Sequence, residues 1–268
     1  GRHPNFSDVD LPKQIVYTKD IQEACSGMDI LVFSVPSPFV RVTTRKAAPY
    51  IVDGQIIVNV AKGIEVETLY TMTEIISDEL RNPTVKLVAL SGPTHAEEVL
   101  KDLPTAITSA SNDAEAAATV QKVFTIGCMR VYTNDDIRGV ELCGALKNVI
   151  ALASGIATGL GCGDNAKAAL ITRGIAEISR LGMAMGCKEY TFGGLAGIGD
   201  LIVTSTSVHS RNNHCGMLIG QGVSVKEAIK QVGMVVEGIN ALPAAVSLAK
   251  KYGVEMPIVA TVDAIVSG

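Results

Sequence analysis

The chain has 268 residues and a formal net charge of −4, and 47% of its residues are hydrophobic, which is typical of a globular protein with a large core. Because the sequence has no basic block, we do not expect nucleic acid or an anionic membrane surface as the main partner. Because no apolar run is long enough without interruption, we do not expect a transmembrane helix. The six cysteines and four histidines form no Cys-x-x-Cys pair and no histidine cluster, so we expect reduced thiols, no metal site and a cytoplasmic location.

Residues 13–111 alternate short apolar runs with segments of helical spacing. The predicted strands are residues 14–18, 29–35, 55–60, 85–90 and 105–109, and the predicted helices between them are residues 18–27, 38–51, 65–80 and 93–100. Continuous apolar strands that alternate with helices are typical of a largely parallel sheet covered on both faces. This half therefore predicts an α/β, Rossmann-like doubly wound sheet.

Polar side chains follow three of these strands directly. Ser37, Lys62 and Thr94 lie in turns rich in proline and glycine, at the strand ends where such sheets bind ligands. The geometry of a turn explains the glycines and prolines, but it explains Lys62 less well.

The glycine-rich turn of a dinucleotide-binding fold is missing from the beginning of the chain. Residues 1–20 contain no Gly-x-Gly-x-x-Gly, and Gly159-Leu-Gly-Cys-Gly163 has the wrong spacing and follows a helix. Either the protein does not bind a dinucleotide in the usual way, or the first strand, turn and helix lie upstream of Gly1. We expect the second, with the chain as an internal piece of a longer protein.

From Asp136 onward the pattern becomes helical, which predicts a dinucleotide-binding domain of residues 1–136 and an all-α domain of residues 137–268. The predicted helix 139–155 carries Lys147 as the only charge on one face, and Gly144 one turn earlier leaves room for a substrate or cofactor. Burial would lower the pKa of Lys147 and make it a usable acid or base. The alternative is a lysine that extends to water, which is the more common outcome for a charged residue.

Later segments add three further candidate groups and one long helix. The helix is predicted for residues 165–186, with Asp164 as its N-cap and Glu177 outside its core stripe. Asp200, in a glycine-rich loop, is either a simple N-cap or the partner of a buried lysine. Ser210-Arg-Asn212 indicates a phosphate or carboxylate site, although a solvated arginine is the commoner case. Glu237 is the polar group of interest in the last segments.

Several of these strings together closely resemble the bacterial NAD(P)-dependent glycerol-3-phosphate dehydrogenase family, in the same order and over essentially the whole chain. They are Val60-Ala-Lys-Gly-Ile-Glu65, Ser91-Gly-Pro-Thr-His-Ala-Glu-Glu98, Gly144-Ala-Leu-Lys-Asn-Val-Ile-Ala151, Leu195-Ala-Gly-Ile-Gly-Asp-Leu201, Ser210-Arg-Asn212, Val235-Val-Glu-Gly238 and Gly253-Val-Glu-Met-Pro257.

The resemblance implies an enzyme that interconverts dihydroxyacetone phosphate and sn-glycerol 3-phosphate for phospholipid synthesis, with NAD or NADP as its cofactor. Its catalytic residues would be Lys147, the proton donor and acceptor, with Lys62 and Asp200. The implied substrate-binding residues are Lys62, Gly92, Thr94, Lys147, Asp200, Ser210, Arg211 and Asn212. The implied cofactor-binding residues are Lys62, Ala96, Arg211, Val235 and Glu237.

The chain departs from the family pattern at four places, and other functions are considered beside the main one. The amino-terminal strand and glycine turn are missing, and so is the end of the last helical segment. Thr94 stands in place of a serine and retains the hydroxyl, and His95 stands where a hydrophobic aromatic residue is usual, which we interpret as a packing variation. A related hydroxyacid dehydrogenase, which would need a different anion clamp, is one alternative. A non-catalytic dimerising or binding module is another. A homodimer is the assembly considered for the enzyme.

Overall fold

The computed structural model describes residues 2–3, 6–10 and 12–268 of the chain. It begins with a short antiparallel pair of strands, β1 (Arg2–His3) and β2 (Phe6–Asp10). A separate sheet of five strands follows in sequence order. Its strands are β3 (Ile30–Phe33), β4 (Ile56–Asn59), β5 (Lys86–Ser91), β6 (Thr105–Ala110) and β7 (Met129–Asn134).

The five-stranded sheet is parallel except at one boundary. β3, β4 and β5 run parallel, β6 is antiparallel to β5, and β7 is parallel to β6. Helices cover both faces, and each face has its own buried apolar cluster. The helices of this half are α1 (Ile21–Cys25), α2 (Val40–Ala47), α3 (Met72–Leu80), α4 (Ala96–Val99) and α5 (Ala114–Phe124). The predicted Rossmann-like sheet is therefore confirmed, as a mixed but mainly parallel one.

The second half is helical and is built around one central helix, α6 (Ile137–Gly159). Buried residues of α6 and of the helices packed on it form the largest apolar cluster of the described chain. The helices that follow are α7 (Asp164–Ala184), α8 (Glu189–Phe192), α9 (Asp200–Thr206), α10 (Arg211–Gly220), α11 (Val225–Val232), α12 (Glu237–Tyr252) and α13 (Pro257–Ser267). By length and hydropathy α6 could cross a membrane, but 94% of its most apolar window is buried inside the fold, as in a core helix.

Four sequence predictions about local structure are wrong. Residues 14–18 form no strand, because they pair with no other strand in the described part of the chain and leave Val16 78% exposed. The helix predicted for residues 65–80 begins only at Met72, where Glu74 accepts a hydrogen bond from the backbone of Thr71. The N-cap of α7 is Gly163, and Asp164 is already its first helical residue. Glu177 is buried rather than outside the core, because its carboxylate accepts hydrogen bonds from the first amides of α13.

Candidate active site

Lys147 lies inside the protein, on the central helix α6. Only 6% of it is exposed, and its Nζ donates to Asp200 Oδ1 and, over 2.6 Å, to Thr204 Oγ1. The ammonium is thus satisfied by partners within the fold and does not extend to water. Lys147 is therefore a buried lysine, which is the less common outcome for a charged residue.

Asp200 is the first residue of α9 and follows a short π-helical turn, Leu195–Gly199. The cap position belongs to Gly199, so Asp200 is not a simple N-cap. Its carboxylate is 2% exposed and is shared between two lysines, because Oδ2 accepts from Lys62 Nζ at 2.6 Å while Oδ1 accepts from Lys147. Of the two roles considered for Asp200, the structure shows the partner of a buried lysine.

Lys62 reaches this carboxylate from the turn after β4. Its Nζ also donates to the carbonyl oxygen of Gly92 over 3.3 Å, which connects the ends of β4 and β5. The missing side chain of Gly144 makes room for Lys62: a Cβ there would lie 3.4 Å from Lys62 Cγ and 3.2 Å from Ser91 Oγ. Within the protein, the group that approaches Gly144 is therefore the stem of Lys62.

Burial and the neighbouring charges shift the pKa values of Lys147 and Asp200. Burial and the neighbouring charge of Lys62 lower the pKa of Lys147 to about 7, although Asp200 opposes both effects. Burial alone would raise the pKa of Asp200, but the two ammonium groups outweigh it and the net pKa is lowered. The cluster therefore holds an ionised carboxylate beside an amine that can both donate and accept a proton near neutral pH.

The amino terminus of α10 lies beside Lys147 because α6 and α10 pack with almost no space between their backbones. A Cβ on Gly155 would overlap the carbonyl oxygen of Asn213, and one on Gly216 would overlap that of Leu152. Ser210 caps α10 by accepting from the backbone N–H of Asn213 over 3.2 Å. The first amides of an α-helix have no partner within the helix, and Arg211 and Asn212 at the start of α10 line the same cleft as Lys147.

Asn212 connects three helices at the same place. Its Nδ2 donates to Asn148 Oδ1 over 3.0 Å, and its Oδ1 accepts from the backbone N–H of Gly238 over 2.8 Å. The side chain is buried and already bonded at both ends, whereas Arg211 beside it is exposed and free to reach a ligand. Asn212 therefore holds the α10 terminus in place through its side chain.

A cleft of about 270 Å³ opens over these groups. Six of the predicted site residues line it: Lys62, Lys147, Ser210, Arg211, Asn212 and Glu237. Asp200 and Gly92 do not line the cleft themselves, but both accept a hydrogen bond from Lys62, which does. Thr94 is half-buried, and its hydroxyl lies 3.4 Å from the Gly92 carbonyl oxygen. Ala96 and Val235 are exposed and lie outside the lining of this cleft.

Sequence reasoning missed Thr204, Asn148 and His209, which also border the cleft. Thr204 lies one turn after Asp200 on α9, so the helical spacing from Asp200 could have indicated it. Asn148 directly follows Lys147 and became interpretable only once its partner Asn212 was known. His209 carries no comparable pattern in the sequence.

A second cavity, of about 550 Å³, adjoins the cleft, and Glu237 borders both. It lies over the ends of the first two parallel strands, with Ser37 and Gly63 in its wall. Burial raises the pKa of Glu237, against the effects of Arg211 and Ser37. In the described chain, the buried Ser91 Oγ beside Lys62 has no hydrogen-bond partner. The two cavities share Glu237, and the larger one lies at the strand ends, where sheets of this kind bind ligands.

Comparison with known proteins identifies the family. The family model for the NAD-dependent glycerol-3-phosphate dehydrogenase N-terminus matches residues 3–117, and that for the C-terminus matches residues 136–268. The chain is 63% identical to glycerol-3-phosphate dehydrogenase [NAD(P)+] 2 of Lactobacillus delbrueckii subsp. bulgaricus, over 99% of this chain and 80% of the relative. It is 53% identical to glycerol-3-phosphate dehydrogenase [NAD(P)+] of Fusobacterium nucleatum, over 95% and 76%.

The fold agrees with these relatives. The crystal structure of glycerol-3-phosphate dehydrogenase from Coxiella burnetii superposes with a TM-score of 0.94 at 36% identity, and the match covers 99% of this chain and 81% of that one. The sequence matches and the superposition both extend across the sheet, the cleft and the helical half. The chain belongs to the NAD-dependent glycerol-3-phosphate dehydrogenase family.

Proposed function

We propose that this protein reduces dihydroxyacetone phosphate to sn-glycerol 3-phosphate, reversibly, with NADH or NADPH. The observation that carries the proposal is the cluster of Lys62, Asp200 and Lys147 at the base of a cleft whose opposite wall is the amino terminus of α10. The lysine cluster supplies an acid for a carbonyl oxygen, and the amino terminus of α10 supplies hydrogen-bond donors for a phosphate. The relatives give no support to a different hydroxyacid dehydrogenase or to a non-catalytic module.

When bound, NADH or NADPH would supply the hydride that reduces C2 of the substrate. As the carbonyl π electrons move to oxygen, the Lys147 ammonium transfers a proton to that oxygen, and an alcohol and a neutral amine result. In the oxidation direction, neutral Lys147 accepts the hydroxyl proton. Asp200 orients Lys147, and Lys62 adds positive potential where negative charge develops.

The phosphate end of the substrate is assigned to the other wall of the cleft. The backbone amides at the start of α10 and the Arg211 guanidinium are donors that suit a phosphate, with Ser210 and Asn212 holding the turn. Gly92 and Thr94 are assigned to the substrate side because the Gly92 carbonyl is bonded to Lys62. Lys62, Ala96, Arg211, Val235 and Glu237 are assigned to the cofactor, and the adjoining cavity at Glu237 supports this.

Several wider assignments belong to the same proposal. We place the division between the cofactor domain and the substrate domain at residues 1–136 and 137–268, since β7 ends at Asn134 and α6 begins at Ile137. We also propose that the enzyme acts in the cytoplasm as a homodimer and supplies glycerol 3-phosphate for phospholipid synthesis.

The test is the oxidation of NADH and of NADPH by the purified full-length protein, extended upstream through the expected glycine-rich turn, followed by the loss of nicotinamide absorbance, with dihydroxyacetone phosphate as substrate. Unphosphorylated dihydroxyacetone and an α-keto acid serve as matched substrates. Rapid oxidation with dihydroxyacetone phosphate and slow oxidation with the other two is the expected result. Preference for the keto acid would overturn the assignment.

A further inference from the structure

Glu141 is a buried carboxylate that the proposed reaction does not use. It lies on α6 ahead of Lys147, is 6% exposed, and faces the sheet rather than the cleft. Its Oε1 accepts from Asn59 Nδ2 over 3.2 Å and from the backbone N–H of Thr73 over 3.0 Å, and its Oε2 accepts from the Thr73 hydroxyl. The carboxylate therefore joins α6 to the end of β4 and to the first turn of α3.

Asn59 carries this connection onward to the active-site turn. Its Oδ1 accepts from the backbone N–H of Ala61 over 3.1 Å, and its Nδ2 donates to the carbonyl oxygen of Ala61 over 2.9 Å. Both polar groups of Ala61 are thus held by one side chain, and the next residue along the chain is Lys62. The buried side-chain amide of Asn59, which is bonded to Glu141, therefore holds the backbone that leads directly to Lys62.

We propose that Glu141 is a positioning residue for Lys62, which through Asn59 fixes the turn that directs the Lys62 ammonium toward Asp200 and Gly92. The proposal rests on the proposed function for its effect on catalysis, since Lys62 acts at the reacting carbonyl. Two independent connections then place the lysines: Lys147 is carried by α6 itself, and Lys62 is tied to the same helix through Glu141. A fixed distance between them is what lets one carboxylate, Asp200, pair with both.

The contacts make Glu141→Gln an informative variant. A glutamine Oε1 can accept from Asn59 and from the Thr73 amide, and its Nε2 can donate to the Thr73 hydroxyl, so the connection survives without the charge. Glu141→Ala removes it. Burial raises the pKa of Glu141 to about 7, and Thr73 and the neighbouring Thr71 oppose that shift while Glu74 adds to it. If Glu141 acts through the geometry of its hydrogen bonds, Glu141→Gln retains that role. If Glu141 acts through its charge, Glu141→Gln loses it.

The experiment is a double-mutant cycle between Glu141→Ala and Lys62→Ala. In the otherwise wild-type protein, Glu141→Ala should lower kcat about 10- to 100-fold, because misplacing a catalytic group by about 1 Å costs that much, while Glu141→Gln should stay within about threefold of wild type. In the Lys62→Ala background, Glu141→Ala should cost less than about twofold, since the two changes remove the same interaction. Equal losses in both backgrounds would overturn the proposal.

Glu177→Ala is the matched control for loss of a buried carboxylate. Glu177 is 1% exposed and also accepts backbone hydrogen bonds, from Ile258 and Val259, but it lies away from the cleft. Its replacement should lower the melting temperature and leave kcat unchanged. If Glu141→Ala does not fold, Asn59→Ala takes its place in the same cycle, with the same expected non-additivity.

A readout that needs no turnover separates this proposal from the proposed function. In protein labelled with [ε-13C]lysine, the Lys62 resonance, assigned through Lys62→Ala, should move in Glu141→Ala and keep its position in Glu141→Gln. An unmoved Lys62 resonance in Glu141→Ala contradicts the positioning role. Lack of activity of the wild-type chain on dihydroxyacetone phosphate, with the resonance moving as expected, contradicts only the proposed function.

Discussion

Lys147 and Asp200 form an ion pair inside the protein, with 6% and 2% of the two residues exposed. The same carboxylate pairs with Lys62, so the fully ionised cluster has two positive charges and one negative charge. The excess positive charge helps to explain why Lys147 has a lowered pKa even though it has an anionic partner. It also makes the cleft favourable for a phosphorylated substrate.

Replacement of Lys147 by alanine should remove the proton donor. We expect kcat to fall about 10³-fold or more, since general acid catalysis contributes roughly that factor and the unpaired Asp200 charge remains in the site. The affinity for NADH should change little. Steady-state kinetics and NADH fluorescence titration measure the two effects separately. Lys226→Ala, which changes an exposed lysine on α11, is the matched control and should behave as wild type. An active Lys147→Ala enzyme would contradict the assigned role.

The pH dependence of the two reaction directions should be opposite. Reduction requires charged Lys147, so its kcat should fall as the pH rises through about 7, the pKa that burial and Lys62 produce. Oxidation requires neutral Lys147, so its rate should rise through the same pH. Among the described residues, the other ionisable groups around the cleft are Lys62, Asp200, His95, His209, Arg211 and Glu237. Parallel profiles in both directions would show that another group titrates.

Asp200→Asn gives a second pH prediction. Asp200 raises the pKa of Lys147, so its neutral replacement should lower that pKa further and move the loss of reductase activity to more acidic pH. The maximal rate should also drop, because the amide holds the two lysines less firmly. Rate profiles of wild type and variant over the same pH range provide the test. A midpoint that moves upward would contradict the arrangement.

The sequence predicted the elements that have one-dimensional patterns and missed the relationships that depend on distant residues. β3 to β6 were found because they are apolar runs, whereas β7 was missed because Val131 is the one buried residue among its six positions. Lys147 could not be recognised as buried from its own helix, since the groups that compensate its charge lie at Asp200 and Thr204. The residue pattern singled out most of the site residues, the family resemblance implied their roles, and their geometry came from the fold.

Arg211 should discriminate in favour of the phosphate group. Arg211→Ala is expected to raise KM for dihydroxyacetone phosphate by about 10- to 100-fold, because a charge-assisted hydrogen bond to phosphate contributes roughly 1.5–3 kcal/mol. With the cofactor at saturating concentration, the weak reaction with unphosphorylated dihydroxyacetone should be unaffected. Arg173→Ala, an exposed arginine on α7, is the control. Equal effects of Arg211→Ala on both substrates would show that the guanidinium does not contact the phosphate.

Gly155→Ala should separate α6 from α10 and move the start of α10, which we assign to the substrate phosphate, away from Lys147. The new Cβ would overlap the Asn213 backbone carbonyl, which cannot rotate away as a flexible side chain could. We expect a loss of about 1–3 kcal/mol or more in the free energy of unfolding, as for other overpacked contacts, together with a raised KM for dihydroxyacetone phosphate. Gly193→Ala is the control, because the nearest atom to its Cβ is 3.8 Å away. Urea denaturation and steady-state kinetics on both variants decide the matter: if Gly155→Ala is as stable and as active as Gly193→Ala, the close contact between α6 and α10 does not hold the site together.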